Sequence, residues 1–205
     1  MSSLAARRVI GRIAPKQCVL LVCDIQERFR PVIHGFPELV GISTTMLRAS
    51  NALNIPVVVS EQYPKAFGRT VDEILKHLPA TAKVFEKRRF SMITEETSSH
   101  LRALEVTSAV LVGLETHVCV LQTTLDLLEM GIDVHVIADG VSSQRLNERN
   151  SALERLRQSG AFITSAESAL FQILGTSEHE HFKTISSIVK DQGVKSREKT
   201  LLGCL

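Results

Sequence analysis

The chain has 205 residues, 44% of them hydrophobic, and its 24 basic and 22 acidic side chains leave a formal net charge of +2. This near balance gives no reason to expect nucleic acid or an anionic membrane as a partner. The longest apolar run, Cys18–Cys23, is far too short to span a bilayer.

The first segment of the chain is basic. Arg7, Arg8, Arg12 and Lys16 precede the first acidic residue, and no apolar core of a secretory signal is present in residues 1–16. Such a stretch is compatible with an ordinary arm packed on the first strand and with a mitochondrial presequence. The four cysteines of the chain form no C-x-x-C pair, which favours reduced thiols in an intracellular compartment. We therefore predict a cytoplasmic protein, with the mitochondrion as the alternative.

Apolar runs alternate with helical patterns along the rest of the chain. The runs that predict buried strands are residues 19–23, 57–60, 83–85, 108–112, 132–138 and 161–164. The predicted helical segments are residues 39–53, 70–75, 94–104, 118–128, 145–159, 166–174 and 181–190. Continuous apolar strands separated by helices are typical of a parallel sheet covered on both faces. The pattern predicts a doubly wound, three-layer α/β/α, Rossmann-like fold.

The length of the chain is that of one domain with a sizeable core. We predict a single domain over residues 1–205, with its core at about residues 15–175. A helical segment follows this core, and a polar tail begins at Asp191.

Polar side chains follow four of the predicted strands. Asp24 follows the first, Glu61 and Gln62 follow the second, Lys87 follows the third, and residues 115–119 follow the fourth. Functional sites in open parallel sheets lie beyond the carboxyl ends of the strands. We therefore expect these four groups to lie along one edge of the sheet.

Three of these residues each admit two interpretations. Asp24 is either a turn or helix cap or a base that takes a proton from a thiol. Lys87 is either part of a solvated basic run or a buried lysine that stabilises a carboxylate and a thiolate. Cys119 is either a small buried hydrophobe or a nucleophile at the start of a helix, where backbone N–H groups and the helix dipole favour negative charge. Cys18 and Cys23 are interpreted as strand packing and Cys204 as part of the tail.

The histidines do not predict a metal site. His117 and His34 are either candidate bases or ordinary hydrogen-bonded residues. His179 and His181 lie in a late polar segment, and no pair of histidines has ligand spacing with a carboxylate at the expected place. The sequence contains neither a P-loop nor a G-x-G-x-x-G motif, so we predict no cofactor and no metal.

With Asp24, Lys87 and Cys119 in place, the chain resembles the isochorismatase-like, or cysteine hydrolase, superfamily, and within it the isochorismatase domain-containing proteins. The likeness spans about residues 15–175. Its motifs are Val22-Cys23-Asp24-Ile25-Gln26, Lys87 followed by Phe90-Ser91-Met92, Gly113-Leu114-Glu115-Thr116-His117-Val118-Cys119-Val120, and Ala138-Asp139-Gly140-Val141-Ser142-Ser143. The resemblance implies a six-stranded parallel sheet, an Asp–Lys–Cys triad, and a cis peptide bond between Leu114 and Glu115.

Two departures from better-known members narrow the predicted chemistry. Nicotinamidases carry an Asp-x-His…His metal site after the second strand, where this chain has Ser60-Glu61-Gln62-Tyr63-Pro64. The isochorismate-cleaving enzymes typically lack the cysteine and hydrolyse an enol ether, whereas Cys119 is present here. We therefore predict a metal-independent cysteine hydrolase of a small amide or a related C–N bond, which acts through a thioester.

The resemblance also implies further site residues and partners. The backbone N–H groups of Glu115 and Cys119 would form the oxyanion hole. The candidate substrate-binding residues are Gln26, Phe29, Gln62, Tyr63, Phe90 and His117. The predicted partners are a small-molecule substrate and further copies of the chain in a homo-oligomer, with no nucleic acid and no membrane. Two alternatives stay open: a non-catalytic oligomeric binding protein that retains the family core, and an enol-ether hydrolase.

Overall fold

A computed structural model describes residues 10–196 of the chain. The predictions made for Arg7, Arg8 and Cys204 concern residues outside this range. The strands are β1 Cys18–Cys23, β2 Val57–Gln62, β3 Lys83–Lys87, β4 Ser108–Leu114, β5 Asp133–Ser142 and β6 Phe162–Thr164. They form one sheet in the order β3-β2-β1-β4-β5-β6, and every pairing is parallel.

Helices cover both faces of this sheet. They are α1 Phe36–Ala52, α2 Pro64–Phe67, α3 Asp72–Leu75, α4 Glu95–Ala103, α5 Leu121–Glu129, α6 Leu146–Gln158, α7 Ala166–Leu174 and α8 Phe182–Ser196. The predicted three-layer α/β/α fold with a six-stranded parallel sheet is confirmed. None of the helices within residues 10–196 has both the length and the apolar character needed to cross a membrane.

The central strand β1 contributes to a separate apolar core on each face of the sheet. Leu20 and Val22 pack with residues of α1, α7 and α8. Val19 and Leu21 pack on the opposite face with residues of α4, α5 and α6. Successive side chains of a strand point to opposite faces, so a strand buried on both faces must be apolar at every position. This double burial explains the unbroken apolar run that predicts the strand.

Two strands at one side of the sheet continue past their predicted ends. β2 extends to Gln62 and β3 to Lys87, because Glu61 pairs with Glu86 and Gln62 pairs with Lys87 in the parallel ladder. Backbone pairing does not require an apolar side chain, so the hydrophobic pattern stops before the strand does. The polar residues predicted to follow these strands are therefore held inside the ladder, which fixes their position.

The segment around Cys119 also differs from the helix predicted there. A π-helical turn, Thr116–Val120, precedes α5, and Cys119 lies within this turn. The N–H of Val120 donates to the carbonyl of Glu115 over 3.1 Å, a span of five residues. An apolar stripe continues through such a turn almost as it does through an α-helix, so the sequence pattern does not reveal it.

Gly113 lies in β4 against the backbone of β1, and there is no space for a side chain at this position. Its φ angle is +124°, and a Cβ atom built on it would stand 2.1 Å from the backbone carbonyl oxygen of Cys23. We expect Gly113→Ala to lower the free energy of unfolding by about 3 kcal/mol or more, since overpacking adds to backbone strain. Urea unfolding of the purified variant measures this change.

Gly131 provides the matched control for that substitution. It also has a positive φ, +77°, but a Cβ atom there would meet no other atom within 4 Å. Gly131→Ala should therefore cost only about 1 kcal/mol, the effect of conformation alone. Equal losses in the two variants would contradict the steric explanation for Gly113.

Candidate active site

Asp24 stands directly after β1, at the carboxyl edge of the sheet. Its φ angle is +52°, a left-handed conformation that aspartate tolerates better than most residues. The N–H of Asp24 still donates to the Ser60 carbonyl in β2 over 3.2 Å, and its carbonyl accepts from the N–H of Gln26 over 2.9 Å. The chain therefore turns sharply at Asp24 while the residue stays attached to the sheet.

The carboxylate of Asp24 is bound by side chains from the three strands β1, β2 and β3. Lys87 Nζ lies 2.6 Å from Oδ2, and the side chains of Lys87 and Asp24 are only 1% and 2% exposed. The Ser60 hydroxyl donates to Oδ1 over 2.7 Å, and the Cys23 thiol donates to Oδ2 over 3.6 Å. Both oxygens are thus engaged, Oδ2 in a buried ion pair and Oδ1 in a hydrogen bond, and the fixed orientation of the carboxylate favours a site role over the alternative of a helix cap.

Lys87 ends β3 and is buried, whereas its charged neighbours in the basic run are exposed. Besides Asp24, its ammonium donates to the side-chain carbonyl of Gln62 over 2.8 Å and to the backbone carbonyl of Phe90 over 2.8 Å. A longer bond of 3.3 Å runs to the carbonyl of Arg89. The contacts therefore favour the interpretation of Lys87 as the single buried lysine of this run.

The charges around Lys87 keep it protonated. Burial by itself lowers the pKa of Lys87, but its electrostatic interactions with Cys23, Asp24 and Cys119, together with the hydrogen bond to Asp24, outweigh that effect and raise it. The pKa of Lys87 therefore lies above its ordinary value. A buried cation of this kind stabilises any negative charge that develops on its neighbours.

Cys119 lies at the same centre, with 7% of its surface exposed. Its thiol lies close enough to Cys23 and to Lys87 to influence the pKa of both. Burial raises the pKa of Cys23 well above its ordinary value; the neighbouring Cys119 and Asp24 act in the same direction, while Lys87 opposes them. Cys23 is therefore a neutral thiol beside Cys119. The structure thus brings together the three residues of the predicted triad.

Two further residues of this centre carry no site prediction from the sequence. Cys23 ends an apolar run, a pattern that favours strand packing, and Ser60 ends another. In the ladder Cys23 is the partner of Ser60, so both flank Asp24. The signal that could identify them is that Cys23 precedes Asp24 in the chain and that Ser60 is the ladder partner of Cys23. The position of Ser60 can be used in this way only when the strand order is known.

The segment that carries the predicted oxyanion hole is held by hydrogen bonds to Glu115. The peptide bond between Leu114 and Glu115 is cis, at the position that the resemblance implies. The carboxylate of Glu115 accepts from the N–H of Gln144 over 3.0 Å, and its carbonyl accepts from the N–H of Val118 over 3.0 Å. These bonds fix the backbone between Glu115 and Cys119.

The aromatic candidates for substrate binding differ in their surroundings. Phe29 is half-buried and stacks on Phe67 with ring centroids 5.0 Å apart. Tyr63 is half-buried beneath the guanidinium of Arg88, 4.1 Å from its ring centroid. Phe90 is 51% exposed. A cavity of about 360 Å³ is lined by Tyr63, Pro64, Lys65, Glu86, Lys87 and Arg88.

The polar candidates are engaged within the protein. The Gln26 side chain is fully buried and is hydrogen-bonded to the backbone of Gln62 and Gly68. The ring of His117 is partly exposed, and its Nδ1 lies 3.0 Å from the Ser143 hydroxyl. His117 therefore remains the polar candidate with access to solvent.

The place of the nicotinamidase metal site holds a carboxylate with internal partners. Glu61 accepts from the N–H of Thr70 over 2.7 Å and from the guanidinium of Arg69 over 2.7 Å. Burial raises the pKa of Glu61, but these hydrogen bonds and the charge of Arg69 lower it further, so it lies below its ordinary value. Across residues 10–196, no group of three or more His, Cys, Asp or Glu side chains is arranged to hold a metal ion.

Known proteins resemble the chain over most of its length. The family model described as Isochorismatase domain matches residues 18–168. The secreted isochorismatase effector Isc1 of Phytophthora sojae is 47% identical over 191 residues, which cover 91% of each chain. Isochorismatase domain-containing protein 2 of Xenopus laevis is 43% identical over 93% of this chain and 91% of its own. A solved structure named as the MAR1 ribonuclease of Caenorhabditis elegans superposes with a TM-score of 0.85 and 41% identity, over 87% of this chain and 92% of its own.

Proposed function

The chain belongs to the isochorismatase family, and on that premise we propose that it is a cysteine hydrolase of a small amide or a related C–N bond. The observation that carries this proposal is the buried pair of Asp24 and Lys87, 2.6 Å apart, with the Cys119 thiol at the same centre. A base that accepts the thiol proton, a cation that stabilises the thiolate and the thiol itself, buried together, provide the groups for nucleophilic catalysis by a cysteine.

The reaction proceeds in two halves. Asp24 accepts the proton of Cys119, and the thiolate attacks the substrate carbonyl carbon to give a tetrahedral intermediate. The N–H groups of Glu115 and Cys119 hold the oxyanion. As the C–N bond breaks, Asp24 returns the proton to the leaving amine, and a thioester remains on Cys119. Water then attacks the thioester while Asp24 takes its proton, the C–S bond breaks and the acid product leaves, and Asp24 returns the proton to the Cys119 sulfur.

The neighbours of Asp24 suit it to this double role. Ser60 and Lys87 bind one carboxylate oxygen each, so the carboxylate does not rotate between the two proton transfers. Lys87 balances the negative charge that Asp24 and Cys119 share and keeps that pair in its reactive ionisation state. Preorganised charges of this kind act strongly because little water surrounds them.

Site-resolved alkylation tests the proposal without knowledge of the substrate. We expect iodoacetamide to modify Cys119 at pH 7 about tenfold faster than a free thiol of ordinary pKa, as peptide mass spectrometry measures. Lys87→Met should remove most of that advantage. Cys18 is the internal reference, because burial raises its pKa to about 11. A Cys119 that is modified no faster than an ordinary thiol would contradict the proposal and favour the non-catalytic binding protein.

RNA hydrolysis is a second candidate, favoured by the name of the nematode relative. At the carboxyl edge of the sheet, the Arg88 guanidinium stacks on Tyr63 beside the exposed side chains of Arg89 and Phe90. Cations interleaved with aromatic rings bind single-stranded nucleic acid in a salt-dependent manner. The absence of any salt-sensitive binding of a single-stranded RNA would remove this candidate.

The homo-oligomer and the small-molecule substrate stay predictions that follow from family membership. The cytoplasmic or mitochondrial location also stays a prediction, which rests on the cysteine usage and on the basic segment at the start of the chain.

A further inference from the structure

The side-chain amide of Gln62 is fixed in one orientation against Lys87. Gln62 ends β2 and is paired in the ladder with Lys87, which ends β3. Its Oε1 accepts from Lys87 Nζ over 2.8 Å, and its Nε2 donates to the backbone carbonyl of Arg88 over 2.9 Å. With both ends of the amide engaged, the carbonyl oxygen is always directed at the ammonium.

Gln62 is in turn held by the side chain of Gln26. The Oε1 of Gln26 accepts from the N–H of Gln62 over 2.7 Å, and its Nε2 donates to the carbonyl of Gln62 over 3.0 Å. That Nε2 also donates to the carbonyl of Gly68 over 2.6 Å. The amide of Gln26 thus binds the end of β2 as the backbone of a neighbouring strand would. Gln26 is fully buried and Gln62 is 9% exposed, so water does not compete for these bonds.

The neutrality of Gln62 matters for the charge of the site. The Lys87 ammonium has three N–H donors, and its short bonds run to Asp24, Gln62 and the carbonyl of Phe90. Asp24 is the charged member of these three acceptors. An amide therefore accepts a hydrogen bond from Lys87 without weakening the ion pair with Asp24, whereas a carboxylate at the same place would compete with Asp24 for the ammonium.

We propose that Gln62, held by Gln26, is a positioning residue that fixes the Lys87 ammonium on Asp24 and thereby sets the reactivity of Cys119. This inference rests on the proposed function and assigns both glutamines a role other than contact with substrate. The glutamines act through Lys87, and neither touches the reacting atoms.

The pH dependence of Cys119 alkylation in Gln62→Met and Gln62→Glu tests this inference. The reagent is iodoacetamide, which is small and neutral, so substrate recognition does not enter the measurement. We expect Gln62→Met to slow modification at pH 7 roughly tenfold, the effect of one lost hydrogen bond to a charged group, and to move the profile to higher pH. Gln62→Glu keeps the shape of the side chain and should move the profile further, because its carboxylate would compete with Asp24 for the Lys87 ammonium.

Gln158→Met is the matched control. Gln158 lies exposed on α6 and is bonded to Glu154 over 2.9 Å, so its replacement should leave both the rate and the pH profile unchanged. A purely structural role of Gln62 would lower the urea midpoint of the variants without moving the profile.

The outcomes separate this inference from the proposed function. Rapid modification of Cys119 in the wild type, with an unchanged profile in both Gln62 variants, would overturn the positioning role and leave the hydrolase proposal standing. Slow modification already in the wild type would overturn the hydrolase proposal and the positioning role with it. If Gln62→Met does not fold, the profile of Gln62→Glu decides.

Discussion

Replacing Cys119 by alanine abolishes hydrolysis and leaves the fold unchanged; this is the largest effect that we expect on activity. The thiol is the proposed nucleophile, and losses of about 10³-fold or more are typical when such a group is removed. The change removes one sulfur atom from a small side chain that is 7% exposed, so the stability cost should be about 1 kcal/mol. Ammonia or amine release from a panel of small amides measures activity, and urea unfolding measures stability.

Cys18→Ala is the control for that experiment. Cys18 is a buried thiol of the same size, but it packs in the apolar core on the α1 face of the sheet, whereas Cys119 belongs to the core on the other face. We expect Cys18→Ala to retain full turnover with a similar loss of stability. Turnover by Cys119→Ala above a no-enzyme control would exclude the thiol mechanism. Hydrolysis of an enol ether that survives in Cys119→Ala but is lost in Asp24→Asn would instead indicate the enol-ether hydrolase.

The position of the candidate site could be predicted because the topology of parallel sheets is restrictive. The carboxyl ends of parallel strands share one edge, so a polar residue after each apolar run predicts that Asp24, Lys87 and Cys119 lie along that edge. The same argument does not depend on where each strand stops. It therefore holds although β2 and β3 are longer than their apolar runs.

The contacts within the site could not be predicted in the same way. Whether Lys87 is solvated or buried depends on Asp24, which is 63 residues away in the chain. The role of Gln26 depends on its hydrogen bonds to Gln62, which is 36 residues away in the chain. No sequence pattern around a glutamine reveals such a partner. Register, strand order and the π-helical turn at Cys119 decide these contacts, and none of them leaves a periodic signal in the sequence.

Lys87→Met should lower the free energy of unfolding by about 3–5 kcal/mol, the cost of leaving a buried carboxylate without its partner. Asp24→Asn should also destabilise the protein, because it leaves the ammonium without a counter-charge. The double variant should lose much less than the two single losses combined, since an amide and a thioether need no counter-charge. Urea unfolding of the wild type and the three variants gives the coupling free energy directly.

The control for this double-mutant cycle is an ion pair of similar length at the surface. Arg157 and Glu154 lie 2.7 Å apart with side chains 52% and 57% exposed, so Arg157→Met should cost no more than about 1 kcal/mol. A loss in Lys87→Met as small as that in Arg157→Met would contradict the importance of burial.

The pKa of Lys87 is raised in the folded state, so its contribution to stability is complete below the ordinary lysine value of about 10.4 and disappears only as the pH rises through the raised value. The cycle should therefore give the same result at pH 7 and pH 9.

The double variant also separates the two roles of this pair. An asparagine in place of Asp24 neither accepts the thiol proton nor returns it to the leaving amine, so Asp24→Asn/Lys87→Met should be as inactive as either single variant although its stability is largely restored. Recovery of turnover together with stability would mean that the single variants were inactive only because they unfolded. Stability without turnover would mean that the ion pair takes part in proton transfer. Its burial would then allow one carboxylate to act first as a base and then as an acid.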